Sequence, residues 1–214
     1  MGALHERAVQ GDWVNLEVLY RIFPSSRMQR QAWRQACEAI DAALLARGHR
    51  GLPALIPGLV HARLATALLA SGYRSKRDLQ ARKFLCLGCH AGLEVRMLRD
   101  FAAMRALGVE IRQDVVKASV TAGLVTQEDI VAQDFWEYLR FGEHEMFDTV
   151  MVLAPQQLIL QQLWELSQSR LSPGGQMVVV AQDTDILSVP HETAIGPAME
   201  GTMCWYRLTC NTEF

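Results

Sequence analysis

The chain is short of the features that announce several protein classes. No stretch approaches the roughly 18 apolar residues of a membrane span, and the first residues lack the apolar run of a secretory leader. Charge of one sign is missing too. Against 23 Asp and Glu stand 21 Lys and Arg, a net charge of −2, which leaves no electrostatic footprint for a nucleic acid. Cysteine is scarce and odd in number: Cys37, Cys86, Cys89, Cys204 and Cys210. Cys86 and Cys89 form the one C-x-x-C pair, no second pair has zinc spacing, and reduced packing residues are the expected reading. Repeats and low-complexity tracts are absent. These absences leave a cytoplasmic protein with no metal, membrane or nucleic-acid partner as the expectation.

What is present is apolar surface and a pattern. Half of the 214 residues are hydrophobic, enough for one domain with a sizeable core. The chain is organised around Lys83 to Arg99, KFLCLGCHAGLEVRMLR. Phe84-Leu85-Cys86-Leu87 has the length of a buried strand. Gly88, Cys89, His90, Ala91 and Gly92 make a small-residue turn, and Leu93, Val95, Met97 and Leu98 recur at roughly helical spacing. Strand, glycine turn and helix is a joint where a ligand can approach bare backbone beside unpaired helix N–H groups. The same joint can also serve packing alone.

Four more strand candidates follow in order. GVEIRQDV, Gly108 to Val115, places Asp114 at its end, about two dozen residues beyond Gly88, as expected of a ribose-binding carboxylate in a βαβ unit. DIVAQD ends at Asp134, FDTVMVLA spans Phe147 to Ala154, and GQMVVVA spans Gly175 to Ala181. Helical patterns separate them, which predicts a mostly parallel sheet flanked by helices. TMCWYRLTC, Thr202 to Cys210, is the last strand candidate.

This ordered set, from Lys83 to about Thr184, resembles the class I S-adenosyl-L-methionine (SAM)-dependent methyltransferases. The family's glycine motif reads acid-x-Gly-x-Gly-x-Gly, and here those places hold Cys86, Gly88, His90 and Gly92. Two glycines survive, while the acid and the central glycine do not. LSPGGQMVVV, Leu171 to Val180, is the most specific match, to the family's turn into its fifth strand. The resemblance implies a Rossmann-like α/β fold and SAM as cofactor. It implies a cofactor site formed by Gly88, Cys89, His90, Gly92 and Glu94, by Asp114 and Val115 at the ribose, by Asp134 and Phe135 at the adenine, and by Leu153 and Ala154 at the fourth strand's end. Trp136 and Tyr138 either line the adenine pocket or pack.

The expected reaction is methyl transfer to a small molecule. Attack at another carbon beside the sulfonium, releasing methylthioadenosine, is the alternative that the missing acid keeps open, and a non-catalytic SAM-binding module is the third. Candidate catalytic groups are Gln156 after the fourth strand, Asp183 after the fifth, and Tyr73 at the entry to the sheet. Gln182 to Asp185 and His191-Glu192, beyond the fifth strand's carboxyl end, are either acid/base candidates or a solvated loop.

Residues 1–80 read as helical, with Trp33, Cys37, Ile40, Leu44 and Leu45 marking a stripe that begins after Ser25-Ser26. The expectation is a helical lid or packing region over 1–80 and a SAM-binding domain over 81–214. Where the family adds two strands after the fifth, only one fits here. The sheet edge that this leaves would need covering, which points to a homodimer.

Overall fold

The computed structural model describes residues 21–49, 56–142, 145–153, 160–181, 192–195 and 204–209. Two helices come first, α1 (Arg27–Leu45) and α2 (Pro57–Ala70). Ser26 caps α1 reciprocally: its Oγ accepts from the Gln29 N–H at 3.1 Å, and its own N–H donates to Gln29 Oε1 at 2.7 Å. Such a box gives acceptors to two N–H donors that the helix start leaves unpaired. Pro57 stands in the first turn of α2, where its missing N–H costs nothing.

The apolar stripe of α1 is buried as its spacing demands, at Trp33, Cys37, Ile40 and Leu44. Leu64 and Leu68 of α2 join it in one core with Phe84 and Cys86 of the first strand. Ile40, Leu44, Leu64 and Leu68 are fully buried. Each contributes about 1.5–3 kcal/mol, so the four approach the stability of a whole domain. Of the lid and packing readings of 1–80, the described residues show packing: α1 and α2 form a layer on one face of the sheet. The Trp33 indole N–H donates to Asp100 Oδ2 at 2.7 Å and locks that layer to the next helix.

Strands and helices then alternate: β1 (Lys83–Leu87), α3 (Leu93–Asp100), β2 (Arg105–Glu110), α4 (Gln113–Thr121), β3 (Ile130–Ala132), α5 (Phe135–Phe141), β4 (Phe147–Leu153), α6 (Leu160–Gln168), β5 (Leu171–Ala181), β6 (Glu192–Ile195) and β7 (Cys204–Thr209). The sheet order is β3-β2-β1-β4-β5-β7-β6. The first five strands run parallel, and β7 lies antiparallel between β5 and β6. Each parallel strand alternates between two cores. Phe84, Cys86, Ala106 and Met151 face α1 to α4, whereas Leu85, Leu107, Val150 and Leu163 form the core on the α5 and α6 side. Buried Arg170 closes the end of α5, donating to the carbonyls of Tyr138 at 2.8 Å and Gly142 at 3.1 Å.

Two expectations about strands are corrected. The second strand stops at Glu110, because Ile111 leaves the sheet and Arg112 caps α4 with extended backbone. Asp114 is thus a residue of the α4 first turn and not of the strand end. The sheet also has its two late strands. β6, read as a loop around Glu192, pairs with β7 in the register Glu192 to Arg207 and Ile195 to Trp205. An incomplete sheet was the ground for expecting a homodimer, and that ground is gone.

Candidate functional site

All five parallel strands point their carboxyl ends to one edge, and the turn after β1 lies there. The Gly88 and Cys89 N–H groups both donate to the Val109 carbonyl, at 2.9 and 3.2 Å, so the turn leans onto the end of β2. Gly88 has φ +64° and is exposed, and a Cβ built on it would meet nothing within 4 Å. Bare backbone here is open to a ligand. His90, in the place of the family's central glycine, keeps a left-handed backbone with φ 54°. That conformation is uncommon for a residue with a side chain.

The reason His90 can hold it is Glu110. The His90 N–H donates to Glu110 Oε2 at 2.9 Å, and the Arg112 N–H donates to Oε1 at 2.9 Å. The Glu110 side chain is buried, and its carboxylate links the first turn to the second. Each oxygen keeps a further lone-pair direction. The next residue, Ile111, is 62% exposed, an apolar surface beside a fixed carboxylate at the sheet edge. Neither residue was among the sequence candidates. The signal was available: Leu107-Gly108-Val109 is an apolar run, Glu110 is the first acid after it, and it stands 22 residues beyond Gly88.

The other candidates divide. Asp134 caps α5, its Oδ1 accepting from the Trp136 and Glu137 N–H groups at 2.8 and 3.1 Å. It follows the carboxyl end of β3, with half-buried Phe135 beside it and the Phe135 and Trp136 ring centroids 4.9 Å apart. Tyr138 is a packing residue in the α5 core, with Arg170 over its ring. Asp114 lies partly exposed, with its Oδ2 2.7 Å from Arg112 and 3.6 Å from His49. The Arg112 guanidinium holds its carboxyl below the usual range. Asp114 is paired with Arg112, and Val115 is fully buried in the core.

Gly92 and Cys89 serve packing. A Cβ on Gly92 would lie 3.0 Å from Val125 Cγ1, and a Cβ on Gly108 would lie 2.5 Å from the Cys89 sulfur. The Cys89 side chain occupies space that Gly108 leaves vacant under the turn. Cys37, Cys86 and Cys89 are free and buried, and burial pushes the three thiols up, Cys37 to about 11. They are inert packing groups at neutral pH.

Glu94 opens α3 directly after the turn. Burial pushes its carboxyl up to about 7, against the lowering effect of the Arg63 guanidinium. Tyr73 is corrected. Its hydroxyl is 2.8 Å from Thr149 Oγ1, in the amino half of β4, and its ring meets Phe84 edge-on at 5.5 Å. That is the sheet end opposite the turn, and desolvation raises the phenol further. Leu153 ends β4, its backbone described and its side chain not, while Ala154, Gln156 and Asp183 lie outside the described residues.

Among the described residues no cluster of His, Cys, Asp and Glu could hold a metal ion, and no helix is long and apolar enough to cross a membrane. Neither of two cavities among the described residues lies at this edge. One of about 490 Å³ sits between α1 and α2 at Arg30, Trp33 and His61, and one of about 590 Å³ sits at the amino end of β2.

No family model matches the sequence, and no curated protein does. The fold has counterparts among solved structures. An RNA methyltransferase from Salinibacter ruber, in complex with S-adenosyl-L-homocysteine, superimposes with a TM-score of 0.54 at 21% identity, over 76% of this chain and 96% of that one. A proposed methylase from Haemophilus influenzae gives 0.53 at 15%, over 66% and 93%. A proposed SAM-dependent methyltransferase from Streptococcus mutans gives 0.53 at 10%, over 68% and 49%. The chain has the Rossmann-like fold of these proteins.

Proposed function

We propose that this chain is a SAM-dependent methyltransferase whose cofactor lies across the carboxyl edge, from the turn after β1 to Glu110, and whose acceptor is a small molecule. The observation that carries the reading is the Glu110 carboxylate, held by the His90 and Arg112 N–H groups beside the turn in which the Gly88 backbone lies open. Two free lone-pair directions on one carboxylate suit a vicinal diol, and exposed Ile111 suits the face of a purine. Asp134 and Phe135, at the next strand, suit the purine's amino edge and other face. The residues present therefore fit the cofactor, with Glu110 at the ribose in place of Asp114.

The bound cofactor supplies a carbon already activated by its sulfonium. The chain's part is to orient an acceptor in line with that carbon and to exclude water. Gln156 and Asp183 follow the ends of β4 and β5 in the chain, and they remain the residues proposed to face the acceptor. A net charge of −2 supports a small acceptor over a polyphosphate one. Cys86, where the family carries an acid, favours one second reading, attack at another carbon beside sulfur.

The test is to incubate the protein with SAM, alone and with pools of small-molecule acceptors, and to identify the products. S-adenosylhomocysteine formed only with an acceptor supports methyl transfer. Methylthioadenosine formed without one supports the second reading. Neither product means a binding role.

A further inference from the structure

Glu94 and Arg63, an acid and a base on two helices that pack together, form no ion pair with each other. Glu94 lies in the first turn of α3, on the face it shares with buried Met97 and Leu98. Arg63 lies on α2, which packs against α3. The Arg63 Nε atom is buried and has no hydrogen-bond partner among the described residues. The groups coupled to Glu94 through their charge are Cys37 on α1, Arg63 on α2, Cys86 on β1 and Cys89 in the turn. With those thiols protonated, Arg63 is the charged one among them. Its field reaches Glu94, yet the two form no ion pair.

Both groups are costly as they stand. Among the described residues, a half-buried carboxylate held only by a backbone N–H and a buried guanidinium Nε without an acceptor each lose hydration that is not fully replaced. One ligand satisfies both if it carries an ammonium and a carboxylate on the same carbon. The strand itself offers no charge here, because Cys86 stands at the strand position nearest the turn where an acid could serve. The Arg112 guanidinium is engaged with Asp114.

We propose that Glu94 and Arg63 clamp the α-amino-acid end of the cofactor, Glu94 accepting from its ammonium and Arg63 donating to its carboxylate. This assignment rests on the reading of the carboxyl edge as a SAM site. It brings into the site a residue of α2, whose sequence contains no SAM motif. It also makes the amino-acid end, and not the nucleoside alone, a determinant of what binds.

The experiment titrates three probes into the full-length protein and into Arg63→Met and Glu94→Gln. S-adenosylhomocysteine carries both charged groups, decarboxylated SAM carries the ammonium only, and methylthioadenosine carries neither. Arg63→Met should weaken S-adenosylhomocysteine about tenfold or more and leave decarboxylated SAM within about twofold. Glu94→Gln should weaken both about tenfold. Methylthioadenosine should bind both variants as it binds the parent, which also shows that each variant is folded. Should Arg63→Met not fold, Arg63→Gln, which also removes the charge, is read by the same ratios. Equal weakening of all three probes, or S-adenosylhomocysteine unaffected, overturns the clamp while the SAM site stands. Failure of the parent protein to bind any of the three overturns the SAM site itself and the clamp with it.

Discussion

Glu110 and His90 meet through one hydrogen bond, from the His90 N–H to Glu110 Oε2 at 2.9 Å, and it joins the ends of β1 and β2. With the Arg112 N–H on the other oxygen, the carboxylate organises both turns of the proposed ribose site. Glu110→Gln keeps the shape but sets an amide NH2 against one of those N–H groups. Chemical denaturation should show a loss of about 1–3 kcal/mol. An unchanged denaturation midpoint would mean that the two bonds add nothing and that His90 holds its left-handed backbone unaided.

Gly108 and Cys89 form a complementary pair. A Cβ at Gly108 would fall 2.5 Å from the Cys89 sulfur and 3.0 Å from Val95 Cγ2. Gly108→Ala should therefore cost about 1–3 kcal/mol by overpacking. Cys89→Ala in the same chain should recover most of that loss. A double-mutant cycle measures the coupling, and strictly additive effects would rule out the packing account of Cys89.

Tyr73 is expected to matter for stability and not for chemistry. Its hydroxyl is shared with Thr149 Oγ1, which also stands 3.5 Å from Gln176 Nε2. Tyr73→Phe should lower stability by about 0.5–1.5 kcal/mol. Cofactor affinity should stay unchanged, since the tyrosine lies at the opposite end of the strands from Gly88. A variant that is stable but has lost affinity would return Tyr73 to the site.

Glu94 gives the protein a pH dependence with a definite sign. Its folded-state carboxyl is raised from the ordinary 4.5 to about 7. Between those values the folded state binds a proton that the unfolded state has released. Stability should therefore fall as pH rises from 4.5 to 7 and level off above. The full effect is on the order of 1–3 kcal/mol. Urea titrations from pH 5 to pH 8 should show this slope in the parent protein and not in Glu94→Gln. A slope that survives in the variant assigns it to another group.

The parts of the fold that were legible are the parts where local pattern and tertiary position agree. Leu85, Leu87, Val150 and Val152 belong to strands covered on both faces, and such strands read as plain apolar runs. Ser25-Ser26 marks the start of α1, where Ser26 is the cap. GVEIRQDV misled because Arg112 caps α4 without a side-chain hydrogen bond, so nothing marks the break between Glu110 and Asp114. β6 is four residues long, mostly without large apolar side chains, and lies at the sheet's edge, where burial leaves little trace in the sequence. The Tyr73 hydroxyl finds its partner 76 residues away, and no spacing rule reveals that. Arg63 reads as one cation in an apolar helix until α2 is seen against α3.

The central claim, a cofactor site whose ribose carboxylate is Glu110, is tested most directly by calorimetric titration of S-adenosylhomocysteine into the parent protein, Glu110→Ala and Asp114→Ala. The account predicts one-to-one binding by the parent, a loss of at least about tenfold in Glu110→Ala, and an affinity within about twofold of the parent in Asp114→Ala. No binding by the parent, or affinity lost through Asp114 and kept without Glu110, would contradict it.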